Sequence, residues 1–310
     1  MLQYMIILLD DTSTSFCHYE TTKTERNLIS LDNLRKAIRL AMIENVTAQM
    51  VYPAYELPQE YYEVINTIDH SDIAPLEQKN ENSDVIVLKD WQYNPPKGCV
   101  AVVRATLAAL LEHGEVVNEW LKTVARLNVV ITDVDTFTDD DQKQYADFLQ
   151  KLGKGVEQLF MNGLSPQLNL LTDRMMLTSM NNCGAGDTCI TLAPNGKFYI
   201  CPAFYYENPD DNVGDLEQGI NIPNKQLYKL GYAPICRECD SWHCKRCVWL
   251  NRKLTLEVNT PSHEQCVMAH TERNASRQLM VSIREKGIFL PDKELIPEID
   301  YLDPFNKIKK

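Results

Sequence analysis

Eight of the ten cysteines fall between residues 183 and 266: Cys183, Cys189, Cys201, Cys236, Cys239, Cys244, Cys247 and Cys266. Cys236-x2-Cys239 followed by Cys244-x2-Cys247 is the sharpest part of the pattern. A CxxC turn brings two thiolates to one centre, because backbone amides in the knuckle point at the sulfurs. Two such turns supply four ligands, the number that Zn²⁺ takes tetrahedrally. Cys183-x5-Cys189-x11-Cys201 upstream and Cys266 downstream raise the count to two complete tetrads. Two zinc ions or two [4Fe–4S] clusters both satisfy it, and spacing alone leaves both open. Disulfides are the third use of so many cysteines. They need an oxidising compartment, and no export signal is visible. Met1–Leu9 is apolar but lacks a basic leader and stops at Asp10-Asp11, so it reads as a first strand rather than a signal peptide.

Other side chains are weighed against plainer roles. His243, between Cys239 and Cys244, could replace a cysteine in a mixed zinc site, but a supporting or surface position asks less of it. His18, His70, His113, His263 and His270 form no HxxH or HExxH pattern, which argues against a catalytic zinc. Asp133, Asp135 and Asp139–Asp141 at a strand end and helix start are explained by capping and the helix dipole rather than by Mg²⁺. Cys236–Lys253 carries Arg237, Lys245, Arg246, Arg252 and Lys253 against Glu238 and Asp240. Such a cationic stretch can stabilise an anionic thiolate cluster; docking of an acidic leader peptide is the alternative. Trp242, Trp249, Tyr205 and Tyr206 read as packing over the cysteines. Cys17 could be a remnant ligand or a reactive thiol, but an inert leftover asks less of it, and Cys99 reads as structural.

The elements that must position these residues differ between the two parts of the chain. Over residues 1–180, short apolar runs alternate with amphipathic helices, which implies βα units around a parallel sheet. Strands are expected at Tyr4–Leu9, Ala48–Val51, Val85–Leu88, Val100–Val103, Val129–Thr132 and Leu168–Leu171. Helices are expected from Ser30 or Asp32 to about Val46, at Glu60–Ile68, Leu107–Leu111 and Val116–Leu127, and after Asp139–Asp141, with Tyr145, Phe148, Leu149 and Leu152 as the buried stripe. After about residue 180, Gly, Asn, Pro and Cys dominate, and helical periodicity returns only at His263–Lys286. Bound metal can supply the stability that such a region lacks. Leu290–Lys310, with Pro291, Pro297 and Pro304, reads as an extended tail.

The run from Cys183 to Cys266, with Asn195-Gly196-Lys197-Phe198-Tyr199-Ile200-Cys201-Pro202 inside it, resembles a SPASM domain. That module ends many radical SAM enzymes that modify ribosomal peptides or proteins. The resemblance implies two auxiliary [4Fe–4S] clusters, the first on Cys183, Cys189, Cys201 and Cys247, the second on Cys236, Cys239, Cys244 and Cys266. The tetrads interleave, because Cys247 returns to the upstream set. The spacing around Cys244 and Cys247 is x4 and x2 where x5 and x3 are usual.

The upstream part resembles the partial (β/α) barrel of the same enzymes without their catalytic signature. Where CxxxCxxC would chelate the reducing cluster, this sequence reads Ser13-Thr14-Ser15-Phe16-Cys17-His18-Tyr19-Glu20. Where a glycine-rich segment would receive S-adenosylmethionine, it reads Tyr52-Pro53-Ala54-Tyr55. One thiolate does not hold a site-differentiated cluster, and Tyr-Pro is a poor substitute for glycines that let a ligand near the backbone. Standard radical chemistry and S-adenosylmethionine are therefore not expected. An intact SPASM region beside a lost motif is similar to the CXXX-repeat peptide maturase group, proposed to act on small peptides with repeated Cys-x-x-x units.

The expectation is an α/β protein. Residues 1–180 form a partial barrel-like part, 181–286 a cysteine-rich SPASM-like domain, and 287–310 a tail. The function expected from the resemblance is maturation of a ribosomally made cysteine-rich peptide, the clusters relaying electrons or docking the peptide. The sequence leaves open whether the chain is itself an enzyme. A non-catalytic recognition subunit and a two-zinc partner-binding protein are the rivals, and a separate modifying enzyme or electron donor is a further partner. The net charge of −12 argues against general nucleic-acid binding. No apolar run is long enough to cross a bilayer, and a cytoplasmic location fits.

Overall fold

A computed structural model describes residues 1–78 and 83–287, together with two short paired strands at 298–299 and 308–309. Most of the expected tail therefore lies outside the described residues. Six strands run parallel in chain order: β1 (Tyr4–Leu8), β2 (Thr47–Val51), β3 (His70–Pro75), β4 (Val85–Leu88), β5 (Val100–Ala105) and β6 (Arg126–Ile131). On the other side of β1 the sheet continues into β7 (Cys189–Leu192), parallel to β1, and β8 (Phe198–Tyr199), antiparallel to β7. The order β1 to β6 never reverses, so right-handed crossovers place the helices on one face and leave the other as an interior. That is a mixed α/β partial barrel.

Helices form where apolar spacing and caps agree. The first, α1 (Leu31–Glu44), starts at Ser30, whose hydroxyl accepts from the Asn33 amide, and buries Leu34, Ala37, Ile38 and Ala41. α2 (Gln59–Ile65) follows the Pro-containing turn. α4 (Asp139–Met161) opens with a capping box between Thr138 and Asp141 and buries Tyr145, Phe148, Leu149 and Leu152. Leu107–Trp120 is one helix, α3, where the sequence suggested two. The break was expected near Gly114, but that glycine lets α3 approach α4, and a Cβ there would overlap the Phe148 ring. Gly114→Ala should cost about 1–3 kcal/mol through overpacking, readable as a lower urea midpoint with an unchanged slope.

Two further expectations differ from the structure. β3 has only Ile73 and Ala74 as plain apolar residues before Pro75, so its sequence carries no strand pattern. Leu168–Leu171 forms a single bridge from Leu168 to Leu127 rather than a strand, because the chain turns at once into the short helix α5 (Asp173–Met176). In the cysteine-rich part, α6 (Pro202–Glu207) and α7 (Val248–Thr255) are short, and α8 (His263–Glu285) packs along α4. No helix among the described residues is long and apolar enough to cross a membrane.

Candidate metal centres

Four of the cysteines meet in one cavity of about 270 Å³: Cys183, Cys189, Cys201 and Cys247. Each arrives on a different element. Cys189 is the first residue of β7 and lies beside Tyr4 of β1. Cys183 sits just before it, held by the backbone pairs Cys183 N to Lys245 O (3.1 Å) and Asn181 N to Trp242 O (2.9 Å). The turn between them needs Gly184, at φ +68, where a Cβ would also overlap the Thr188 side chain. Cys201 and Cys247 stand at the N-caps of α6 and α7. Their sulfurs lie beside first-turn amides without forming full capping hydrogen bonds.

These thiols interact strongly. Burial, then the neighbouring Cys183, pushes Cys189 and Cys247 up to about 12. Burial, then Cys247 and Cys183, pushes Cys201 well above its ordinary value, against the amides of Ala203 and Phe204. Four thiolates cannot share such a space without a cation between them.

Cys236, Cys239, Cys244 and Cys266 form a second group. Burial first, then Cys266, raises Cys236 to about 11; burial, then Cys239, raises Cys266 to about 11. Burial raises Cys244 to about 12, with Cys236 and Cys239 adding to it. The Ser241 amide donates to Cys239 Sγ at 3.4 Å, as a CxxC knuckle requires. Cys266 lies in the first turn of α8, whose capping box joins Ser262 and Gln265. Among the described residues, the leading thiol couplings divide between the two groups without crossing.

The surrounding polar atoms test whether an anionic metal centre fits. Ser241 Oγ, His243 Nδ1, and Arg246 Nε and Nη1 are buried without hydrogen-bond partners among the described residues. All lie within the segment that carries Cys239, Cys244 and Cys247. Arg246 sits at φ +46, a strained conformation for a long side chain, with only Nη2 bonded, to Tyr228 O. Buried unpaired donors are costly, and an anionic cluster with its thiolates would satisfy them. The residues fit the group.

The other sequence candidates have partners. His243 Nε2 pairs with Glu272 Oε2 at 3.0 Å, and Tyr145 donates to Glu272 Oε1 at 2.7 Å. The histidine beside a cysteine is instead His270, with Nε2 at 3.7 Å from Cys239 Sγ; Cys239, Asp240 and His270 together place three donor atoms within 4.8 Å. Sequence reasoning passed over His270, although it lies one helical turn after Cys266. Asp133 accepts from the Leu107 amide, and Asp135 pairs with Lys253. Arg252 bridges Glu207 and Asp211, so the basic stretch is largely committed to internal pairs. Trp249 lines the first cavity and donates to Glu207. Tyr205 bonds Asp11, and Tyr206 donates to Ser13 O.

Cys17 lines the first cavity together with the four cysteines. The sequence placed it only where the lost CxxxCxxC motif would stand, 166 positions before Cys183. The rest of its loop, Thr12 to Ser15, lines a separate cavity of about 330 Å³ with Ala54 and Arg104. Asp10 accepts from the amides of Thr12 and Asn27, and Ser13 Oγ donates to Val51 O. After β2, Tyr52 N donates to Ile73 O and Tyr52 O accepts from Thr14 N, both at 3.0 Å. Both backbone polar groups of Tyr52 are thus bonded within the protein.

No protein-family model matches the chain, and no curated protein matches its sequence. Solved structures do. A hexahistidine-tagged anSMEcpe with bound AdoMet superposes at TM-score 0.64 with 13% identity, covering 92% of this chain and 100% of that one. Native anSMEcpe with bound AdoMet and Cp18Cys peptide superposes at 0.60 with 12% identity, covering 92% and 100%. At these identities the likeness is one of fold: the chain shares the partial α/β barrel architecture of those proteins.

Proposed function

We propose that this chain is a two-cluster iron–sulfur protein in the maturation of a ribosomally made, cysteine-rich peptide, acting without S-adenosylmethionine chemistry. Cys183, Cys189, Cys201 and Cys247 would hold one [4Fe–4S] cluster, and Cys236, Cys239, Cys244 and Cys266 the other. When bound, such clusters supply one-electron transfer. The chain's own contribution is to deliver four thiolates to each, to keep the Arg246 charge near Cys236, and to wall the first cavity with Trp249 and Phe16. A cationic, hydrogen-bonding surround raises a cluster's potential.

The observation that carries the reading is the meeting of Cys183, Cys189, Cys201 and Cys247 in one cavity, although Cys244 is nearer to Cys247 in sequence. A peptide partner is supported by the fold of anSMEcpe, one of whose structures holds a Cp18Cys peptide. The internally bonded backbone of Tyr52 after β2 favours a role in recognition or electron relay over one in initiating a radical. His270 beside Cys239 favours a second reading, in which a mixed Cys/His set holds zinc.

Anaerobic purification and metal analysis test the proposal. A brown protein absorbing near 400 nm, with about eight irons and eight sulfides per chain, is expected. A colourless protein carrying two zinc ions would overturn it.

A further inference from the structure

We propose that Cys17 is a spare ligand of the first cysteine group, able to replace Cys183 at the exposed side of the shared cavity. The inference rests on the reading that this cavity holds a cluster. Five sulfurs line it, one more than a [4Fe–4S] cluster takes from a cysteine tetrad. Cys17 comes from the loop after β1, far in sequence from the other four.

Its position is built rather than incidental. Arg104, on β5, donates from Nε to Cys17 O at 2.8 Å and from Nη2 to Tyr19 O at 2.6 Å, and pairs with Glu20 at 2.7 Å. One side chain thus fixes the backbone on both sides of His18. The ring of His18 is tied in turn to Ile131 O at 3.0 Å. A residue left behind by an eroded motif needs no such anchoring.

Geometry singles out Cys183 as the ligand it replaces. Cys17 and Cys183 are the two exposed cysteines of the five, whereas Cys189 is buried at the start of β7. The exchange balances without an oxidant. The incoming thiol gives up a proton and forms an iron–sulfur bond, while the outgoing thiolate breaks its bond and takes a proton. Cluster charge and oxidation state are unchanged.

The test compares the full chain with its Cys17→Ala, Cys183→Ser, Cys17→Ala/Cys183→Ser and Cys189→Ser variants after anaerobic reconstitution. Iron and sulfide content and the electron paramagnetic resonance of the reduced proteins are read. Wild type, C17A and C183S should each hold about eight irons, with C183S showing a shifted signal from one cluster. The double variant and C189S should fall to about four. Cys183 is exposed, so C183S leaves packing intact, and circular dichroism of the apo proteins checks this. If C183S alone falls to the level of the double variant, Cys17 does not serve as a ligand and the inference is overturned. If wild type itself holds no iron, the two-cluster reading fails first and takes the inference with it.

Discussion

Removing metal from the anaerobically loaded protein with a chelator should strip amide protection from residues 181–187 and 236–247 while β1–β6 keep theirs. These segments have little regular structure and few apolar side chains, so on the two-cluster proposal metal ligation would be their main source of order. Structural metal sites contribute on the order of 10 kcal/mol, and that free energy is coupled to folding. Without metal, Ser241, His243 and Arg246 keep buried polar atoms unpaired, and opening to water relieves them. Hydrogen exchange followed by mass spectrometry reads the result. Unchanged exchange in both segments would refute a structural role for metal.

The same thiols give the apo form a pH dependence. Cys244 and Cys247 are held near 12 in the folded chain, mainly by burial, against an ordinary 9.0. The folded state therefore binds these protons more tightly than the unfolded state does. Their contribution is present below about pH 9 and is lost as pH rises toward 12. Metal binding releases those protons, so the loaded protein should not show this loss.

Glu272→Ala should be the most damaging single change away from the cysteines. Glu272 is 6% exposed and joins two elements: it accepts from Tyr145 of α4 and pairs with His243 of the cysteine-rich segment. Its removal leaves a phenol and an imidazole buried without their partner. Breaking a buried pair of this kind costs about 3–5 kcal/mol. Thermal unfolding should show the loss, together with weaker iron retention, since His243 is next to Cys244. Glu272→Gln keeps a hydrogen-bond acceptor and should recover most of the stability. Equal losses for both variants would mean that charge, rather than the shared acceptor, holds the junction.

The sequence announced much of this arrangement where local rules dominate. Ser30 caps the helix it was expected to start, Asp139–Asp141 stand at the start of α4 as expected, and the stripe Tyr145, Phe148, Leu149, Leu152 is buried as its spacing implied. Val85–Leu88 matches to the residue. Local rules fail where a distant partner decides. Gly114 continues a helix because Phe148 needs the space, and β3 is a strand because β2 and β4 flank it. Cys17 is the sharpest case in the candidate site: it stands without neighbouring cysteines in its own loop, and only the fold of β1 beside β7 carries it to the other sulfurs. His270 was passed over for a different reason. Its spacing from Cys266 was in plain view, but no two-histidine pattern drew notice to it.

The ladder from Tyr4–Ile7 to Cys189–Leu192 has a mechanical consequence. A strand that begins with a cysteine is zipped to the innermost strand of the barrel, so the sulfur-bearing region cannot swing as a separate lobe. Any strain produced when an ion enters or leaves near Cys189 passes straight into β1, and through it to the loop that begins at Leu9. Occupancy at one end of that strand and the shape of the barrel mouth at the other are thereby tied along a single stiff rod.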